Sequence, residues 1–120
     1  MVAYNFDLRF VEPIRAGSKR QTIRVRRKRD ARPGDELQLY TGMRTRECAL
    51  IAREFCASVT ALSLVIGGHG IEQITVAGEP VDDLDAFAVA DGFADAGDMA
   101  DFWGVKHGEG EFPDLVLIRW

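Results

Sequence analysis

The chain has 120 residues, of which 47% are hydrophobic and 28% charged, and its formal net charge is −4. These values are typical of one globular domain and exclude a disordered tail, a collagen-like rod and a disulfide scaffold. The most apolar stretch, residues 57–67, is too short to span a membrane, and no signal segment is visible. We therefore expect a single cytoplasmic domain over residues 1–120 with no membrane partner.

The net charge conceals two segments of opposite sign. Residues 9–53 hold thirteen Lys and Arg against five acids, a charge of +8, whereas residues 54–120 hold two against thirteen, a charge of −11; Asp7 supplies the remaining −1. The densest positive run, residues 24–29, would attract phosphate groups locally. A basic loop that pairs with the acidic half of the same fold is the alternative. The acidic half argues against tight nonspecific DNA binding.

Strands dominate the first two thirds of the predicted fold. Alternating apolar and polar residues predict strands over residues 4–9, 22–26, 36–40 and 71–76. The β-rich stretch over 46–66 predicts either two strands or one sharply bent strand. A helical turn over 11–16 ends at Gly17, and turns are predicted at 32–35, 67–70 and 77–80. The alternation in the second strand predicts that Ile23 and Val25 face the core. Thr22, Arg24 and Arg26 then lie on the opposite side.

Two helices and a closing strand follow. Asp82 and Asp95 are the predicted N-caps, each with an aspartate three residues later. The first helix ends at Gly92 and carries a stripe at helical spacing, made of Leu84, Phe87, Ala88 and Asp91. The second helix buries Met99, Phe102 and Trp103, and residues 114–120 return as a strand. This order predicts an α+β domain built around a small, curved or barrel-like sheet.

The cysteines and histidines predict neither a metal site nor a redox pair. Cys48 and Cys56 are eight residues apart, which fits neither a CxxC pair nor a zinc knuckle. His69 and His107 stand alone in the sequence. We expect both cysteines to be small buried side chains of the strand pair over 46–66, and we expect no metal and no cofactor.

Several segments resemble motifs of the ASCH family, whose members have a PUA-like β-barrel. Residues 17–24, GSKRQTIR, match its G-x-K-x-x-T-I-R signature. Further segments resemble the family in the same order: 33–37, 40–45, 90–93 followed by 99–103, and the closing 115–120. The resemblance covers nearly the whole chain. It implies a small barrel of about five to seven strands with two or three flanking helices. Family members include RNA-binding modules, apparent nucleases and small amidohydrolases.

The resemblance also implies a catalytic trio. The small members that resemble this chain in size remove the acetyl group from N4-acetylcytidine, using the Lys and Thr of the signature and an acid at the end of the later helix. Carried over, these are Lys19, Thr22 and Asp91. The family acid is Glu, so Asp91 is one methylene shorter. The loop over residues 41–46, which resembles that of other bacterial and phage-related members, differs from the loop of the N4-acetylcytidine enzymes, and this leaves the identity of the substrate open.

Amide hydrolysis needs a nucleophile, a proton shuttle and a donor for the developing oxyanion. Lys19 can draw the proton from the Thr22 hydroxyl if burial and nearby cations lower the pKa of the lysine. Asp91 lies on an apolar stripe at a helix C-terminus, and both features would raise its pKa, as suits a proton shuttle. The structural alternatives are a solvated turn lysine, an ordinary strand threonine and a helix-end aspartate bonded to Arg24 or Lys19.

Four residues are candidates for contact with substrate or RNA. Arg24 can hold a phosphate, a carbonyl oxygen or the Asp91 carboxylate, and Tyr40 can stack on a base. Arg26 belongs to the basic run, and Arg44 lies in the loop that resembles the family. The alternatives are that Arg24 is a structural partner for Asp91 and that Tyr40 packs against its strand. For Arg26 and Arg44 the alternative is a charge that faces solvent.

Two functions follow from these residues. The first is a pocket between residues 19–24 and the end of the Asp91 helix that binds a nucleoside, nucleotide or RNA base and hydrolyses an N-acylated pyrimidine nucleoside. The second is a non-catalytic module for single-stranded RNA, in which the pocket takes an unpaired base and residues 26–29 follow the backbone. A metal-dependent nuclease is the weakest reading, since no spacing of acids points to a metal.

Overall fold

The computed structural model describes all 120 residues. It contains eight strands, three α-helices and a 3-10 turn over Leu8–Phe10. The strands are β1 Val2–Phe6, β2 Gln21–Val25, β3 Glu36–Thr41, β4 Ala49–Phe55, β5 Ser58–Gly67, β6 Gly70–Val76, β7 Glu79–Pro80 and β8 Gly110–Arg119. The helices are α1 Val11–Ala16, α2 Leu84–Ala90 and α3 Ala96–His107. No helix has the length and apolar character needed to cross a membrane.

The strands form two sheets. The smaller has the order β1-β3-β4, with β1 parallel to β3 and β3 antiparallel to β4. The larger has the order β2-β8-β5-β6-β7, and all its pairs are antiparallel. In this sheet β8 hydrogen-bonds to both β2 and β5, so the last strand is an interior strand of the sheet and not an edge strand.

The core lies between the sheets and under the helices. Leu37 and Leu39 of β3 and Leu64 of β5 have no exposed surface. The strand β8 is buried on both faces from Leu115 to Ile118, as its run of apolar residues favours. The rings of Phe6 and Trp120 meet edge to face, with centroids 6.1 Å apart, and join the two sheets.

Aspartates begin both of the later helices. Asp83 accepts a hydrogen bond from the Ala86 amide and caps α2, so the predicted cap at Asp82 is wrong by one residue. The predicted cap of α3 is confirmed, because Asp95 accepts from the Asp98 amide at 2.8 Å. The Asp85 carboxylate of α2 also accepts from the first amide of α3, at Ala96. The two helices are therefore tied into one corner.

The α+β class is confirmed, while several details differ from the sequence prediction. There are eight strands rather than five to seven, and the two sheets are separate, so no closed barrel is present. The first strand ends at Phe6 because Asp7 begins the 3-10 turn. Val25 is 57% exposed rather than buried, since β2 is an edge strand that ends there, whereas Thr22 is buried. Cys56 is buried, but Cys48 is exposed because it precedes β4 instead of lying within a strand.

Candidate functional site

A cavity of about 610 Å³ opens where β1 and β2 face the end of α2 and one side of α3. Its wall is half apolar and includes five Lys and Arg residues and two aspartates. The polar and aromatic lining residues include Tyr4, Asn5, Phe6, Asp7, Phe10, Lys19, Thr22, Arg24, Arg27, Arg44, Asp91, Lys106 and His107. Most of them come from the first 44 residues, and Lys19, Arg24, Arg27 and Arg44 belong to the basic segment over residues 9–53.

The buried pair Lys19–Asp91 lies at the floor of this cavity, with the two residues 2% and 3% exposed. The helix α1 ends at Gly17 in a left-handed conformation, and the Lys19 amide then bonds back to the Pro13 carbonyl at 3.0 Å. This turn points the lysine inward. Its Nζ donates to the backbone carbonyl of Asp91 and lies 3.7 Å from the Asp91 Oδ1.

Aromatic rings surround the Lys19 ammonium. Its Nζ lies 4.6 Å from the Phe10 ring centroid and 5.7 Å from that of Phe6, within the range of cation–π attraction. Burial lowers the pKa of Lys19 from 10.5 to about 8, against the opposing effect of the Asp91 carboxylate. The lysine is therefore mostly protonated at neutral pH, but it loses its proton at a lower pH than an ordinary lysine.

Asp91 follows the last residue of α2, where the helix dipole disfavours a negative charge. Burial raises its pKa from 3.8 to about 6, and Lys19 and the amide of Gln21 hold it from rising further. Gln21 Nε2 donates to Asp91 Oδ1 at 3.2 Å, and Gln21 Oε1 accepts from Arg119. No protein donor bonds to Asp91 Oδ2, which leaves this oxygen free to act on a ligand in the cavity.

Gly92 allows the close approach of Lys19 to the end of α2. Its φ is +96°, a conformation that L side chains rarely adopt. A Cβ at this position would lie 2.8 Å from Lys19 Cδ and 2.9 Å from Phe10 Cδ1, which is too close for real atoms. The glycine is thus needed for the contact that brings the ammonium to the Asp91 carbonyl.

Thr22 and Arg24 form the side of the cavity that adjoins this floor. Arg24 Nε donates to Thr22 Oγ1 at 3.0 Å, and Arg24 Nη2 donates to the Asn5 carbonyl at 2.7 Å. The guanidinium also lies over the Tyr4 and Phe6 rings, at 5.3 and 4.6 Å. Burial lowers the pKa of Arg24 to about 10. The Thr22 hydroxyl accepts from Arg24 but does not hydrogen-bond to Lys19, so its own proton is free for a ligand.

Five of the residues singled out in the sequence line the cavity, and two do not. Lys19, Thr22, Arg24, Arg44 and Asp91 are brought together there. The other two, Arg26 and Tyr40, lie outside it.

Arg26 pairs with Asp114 of β8 on the surface. The strand β2 ends at Val25, so the alternation that places Thr22 and Arg24 at the cavity does not continue to Arg26. Tyr40 donates from its hydroxyl to Gln38 Oε1 at 3.0 Å along its own strand. Its alternative role, strand packing, agrees with this placement. His69, between glycines of the β5–β6 turn, is also outside the cavity.

Sequence reasoning missed several residues of the site. Gln21 stood in the ASCH-like signature but carries no charge, so nothing marked it as a partner of Asp91. Phe6 and Phe10 resembled ordinary core residues, and Asn5 gave no signal at all. His107 lies one helical turn after Trp103, and its ring centroid lies 4.7 Å from that of the indole. The i, i+4 spacing of these two residues was visible in the sequence and could have predicted this contact.

The site contains side chains for acid, base and anion chemistry. No group of three or more His, Cys, Asp and Glu lies together as metal ligands do. The Cys56 thiol, whose pKa is raised by burial, lies away from the cavity.

Comparison with family models, with curated proteins and with solved structures finds no match to this chain. The likeness to the ASCH family therefore depends on the motifs in the sequence. It stays a prediction.

Proposed function

We propose that this chain is a cytoplasmic ASCH-type protein with a PUA-like fold, whose cavity binds a nucleoside, nucleotide or RNA base and hydrolyses an N4-acylated cytidine. The observation that carries the proposal is the buried pair Lys19–Asp91, with pKa values displaced toward neutrality, at the floor of an aromatic cavity beside Thr22. Titratable groups displaced in this way, and set in a cavity, are typical of acid–base sites.

The cavity suits a nucleoside in size and in chemistry. Its volume of about 610 Å³ lies within the range of small-molecule sites. Bases stack on the planes of arginine guanidinium groups as well as on aromatic rings, and Arg24 and Arg27, held over the buried Tyr4 and Phe6 rings, supply such planes. Thr22, Asp91 and Arg24 supply the few polar groups that orient a ligand in such a site.

The groups permit a balanced hydrolysis in two steps. In the first, the Thr22 oxygen attacks the acyl carbon and its proton passes to the Asp91 carboxylate, while Lys19 and Arg24 stabilise the oxyanion. The C–N bond then breaks, and Asp91 returns the proton to the departing N4 amine. In the second, water gives its proton to Asp91 and attacks the threonine ester. The ester oxygen leaves with that proton, so the products are cytidine and the free acid.

The second candidate function is a non-catalytic module for single-stranded RNA. It is favoured by Lys28 and Arg29, which are exposed next to the cavity-lining Arg27 and take part in no ion pair. Such free cations can follow a phosphate backbone. In this case the cavity takes one unpaired base, and Lys19 and Asp91 hold it without turnover.

The test is release of cytidine from N4-acetylcytidine by the purified protein, followed by chromatography. We expect turnover by the wild type and a loss of about 100-fold or more in Lys19→Ala, Asp91→Asn and Thr22→Val. Thr75→Val on β6 is the matched control, since it removes a half-buried strand hydroxyl outside the cavity. It should keep full activity.

Absence of release at high enzyme concentration would overturn the hydrolase. Fluorescence titration with a short cytidine-rich RNA then distinguishes the second candidate. Binding that weakens steeply with salt and is lost in Lys19→Ala would support the RNA module, whereas no binding would exclude both functions.

A further inference from the structure

We infer that Arg24, Arg27 and Arg44 form a phosphate subsite at the mouth of the cavity, so that the ligand is a nucleotide or an RNA nucleotide rather than a free nucleoside. The inference deepens the proposed function and rests on it for the identity of the base. It depends on how the three arginines are held and on what they lack.

Arg24 and Arg27 are both fixed against the same tyrosine. Their guanidinium carbons lie 5.3 and 4.3 Å from the Tyr4 ring centroid. Arg24 Nη2 donates to the Asn5 carbonyl, and Arg27 Nη2 donates to the Ala3 carbonyl at 3.0 Å. The ring itself is anchored, because the Tyr4 hydroxyl accepts from the Ala31 amide at 3.1 Å. Two guanidinium groups are thus oriented in advance along one edge of β1.

Neither of these two groups has a carboxylate partner. Arg9, Arg20 and Arg26 each pair with an acid within 4.0 Å, at Asp98, Glu54 and Asp114. Arg24 and Arg27 have no such pair. Burial is the main cause that lowers the pKa of Arg24, the charge of Arg27 lowers it further, and the more distant Asp91 carboxylate opposes both. Two like charges held together without a counterion repel each other. A bound anion would remove that repulsion and gain charge-assisted hydrogen bonds.

Arg44 approaches the same place from a strained turn. Its φ is 66°, in the left-handed region that costs a non-glycine residue about 1 kcal/mol or more. The turn is held by Asn5, whose Oδ1 accepts from the Met43 amide at 2.9 Å while its carbonyl accepts from Arg24. One asparagine therefore links the Arg44 turn to Arg24. Strain maintained in this way at a cavity wall points to a function for the arginine.

The negative groups of the cavity wall do not neutralise this mouth. The Asp7 carboxylate accepts from the Arg9 amide and begins the 3-10 turn, and Asp91 is paired with Lys19 at the floor. Arginine matches phosphate oxygens in a bidentate way that a point charge does not. A nucleotide would therefore place its base at the floor and its phosphate between the arginines at the mouth.

The test compares the affinities of three probes by isothermal titration at low salt: cytidine, cytidine 5′-monophosphate and ribose 5-phosphate. We expect the monophosphate to bind about tenfold or more tightly than cytidine. In Arg27→Gln that ratio should fall toward one, and ribose 5-phosphate should lose its binding. Arg53→Gln is the matched control, because Arg53 is exposed, has no ion pair and lies outside the cavity. It should leave the ratio unchanged.

Each outcome separates the subsite from the nucleoside pocket. Equal affinity for cytidine and its monophosphate would overturn the subsite and leave the pocket. Binding of ribose 5-phosphate that depends on Arg27, without any binding of cytidine, would support the subsite and overturn the pocket. If Arg27→Gln and Arg53→Gln lowered the preference for the monophosphate equally, general surface charge would explain the preference, and the subsite would be overturned.

The source of the phosphate is decided by a further probe, a five-residue oligocytidylate. Tighter binding than the monophosphate, with a steeper dependence on salt, would identify an RNA phosphodiester as the ligand. Equal or weaker binding would identify a mononucleotide. Either result keeps the phosphate between the same arginines.

Discussion

The interior of the larger sheet and the floor of the cavity are equally shielded from solvent, yet they contain opposite kinds of side chain. Leu64, Ile74 and Leu117 have no exposed surface and stabilise the sheet through the apolar area they bury. Lys19 and Asp91 are as well shielded, but removing their charges from water costs several kcal/mol per ion. Burial of apolar area therefore explains the choice of side chains in the sheet interior.

Stability does not explain the choice of charged side chains at the cavity floor. A buried ion pair is often no better for stability than apolar residues of similar volume. This chain nevertheless orders Gly17, Gln21 and Gly92 around the pair, so that the ammonium reaches the end of α2. The difference between the regions indicates that the floor is built for chemistry. Three predictions test that difference, and the largest effect comes first.

Replacing the pair should separate stability from activity. We expect Lys19→Met to lower the free energy of unfolding by about 3–5 kcal/mol, because it leaves a buried carboxylate without its cation. The double variant Lys19→Met with Asp91→Leu should recover most of that loss and still lack hydrolysis. Urea unfolding and cytidine release measure the two effects.

Leu64→Met in the sheet interior is the comparison variant, since a volume-conserving apolar change costs less than about 1.5 kcal/mol. If Lys19→Met were no more costly than Leu64→Met, the proposed difference between the two regions would be wrong.

The pH dependence should have opposite signs for activity and for stability. Activity needs Asp91 ionised and Lys19 protonated, so kcat/KM should rise with pH near 6 and fall near 8. The folded protein holds the Asp91 proton more tightly than the unfolded chain, so stability from this group is lost as pH rises from 3.8 to about 6. It holds the Lys19 proton less tightly, so stability is regained between about 8 and 10.5.

The two profiles are measured by kcat/KM and by urea unfolding across this range. The double variant Lys19→Met with Asp91→Leu serves as the control for stability. Its unfolding profile should lack both the decrease between pH 3.8 and about 6 and the recovery between about 8 and 10.5. The same decrease in that variant would assign the effect to other groups.

The smallest effect is expected at Gly92. Gly92→Ala and Gly78→Ala both place an alanine at positive φ, which costs about 1–2 kcal/mol of stability. A Cβ at Gly78 meets no atom within 4 Å, whereas at Gly92 it meets Lys19 and Phe10. We therefore expect only Gly92→Ala to lower kcat/KM, because it displaces Lys19. The expected loss is about tenfold, which corresponds to roughly 1.4 kcal/mol of activation free energy. Equal activity in the two variants would contradict a positioning role for Gly92.

Much of the fold was predictable because its signals are local. Strand alternation, the glycine after α1 and the aspartate before α3 each act within a few residues. Asp91 could be found because a charge on an apolar helical stripe is conspicuous. The alternation at β2 was also correct as a pattern. The burial assigned to its two faces was wrong, because the Thr22 side meets a cavity rather than solvent and Val25 ends an edge strand.

The rest of the site depends on contacts between distant parts of the chain, which composition and periodicity do not contain. Gln21 is an ordinary polar residue until α2 places a carboxylate beside it. Phe10 is an ordinary aromatic residue until a lysine turns toward its ring. Arg26 and Arg27 are equivalent in the sequence, yet one pairs with Asp114 and the other stacks on Tyr4.

The distance along the chain between the two halves of the floor also has a consequence for folding. Lys19 bonds to a residue 72 positions later, and Gln21 contacts Arg119, 98 positions later. Closing such long loops costs entropy before any contact repays it. We therefore expect the floor to form after the folding transition state, so that changes there speed unfolding and leave the folding rate nearly constant. The site would then be the last part of the molecule to assemble and the first to open.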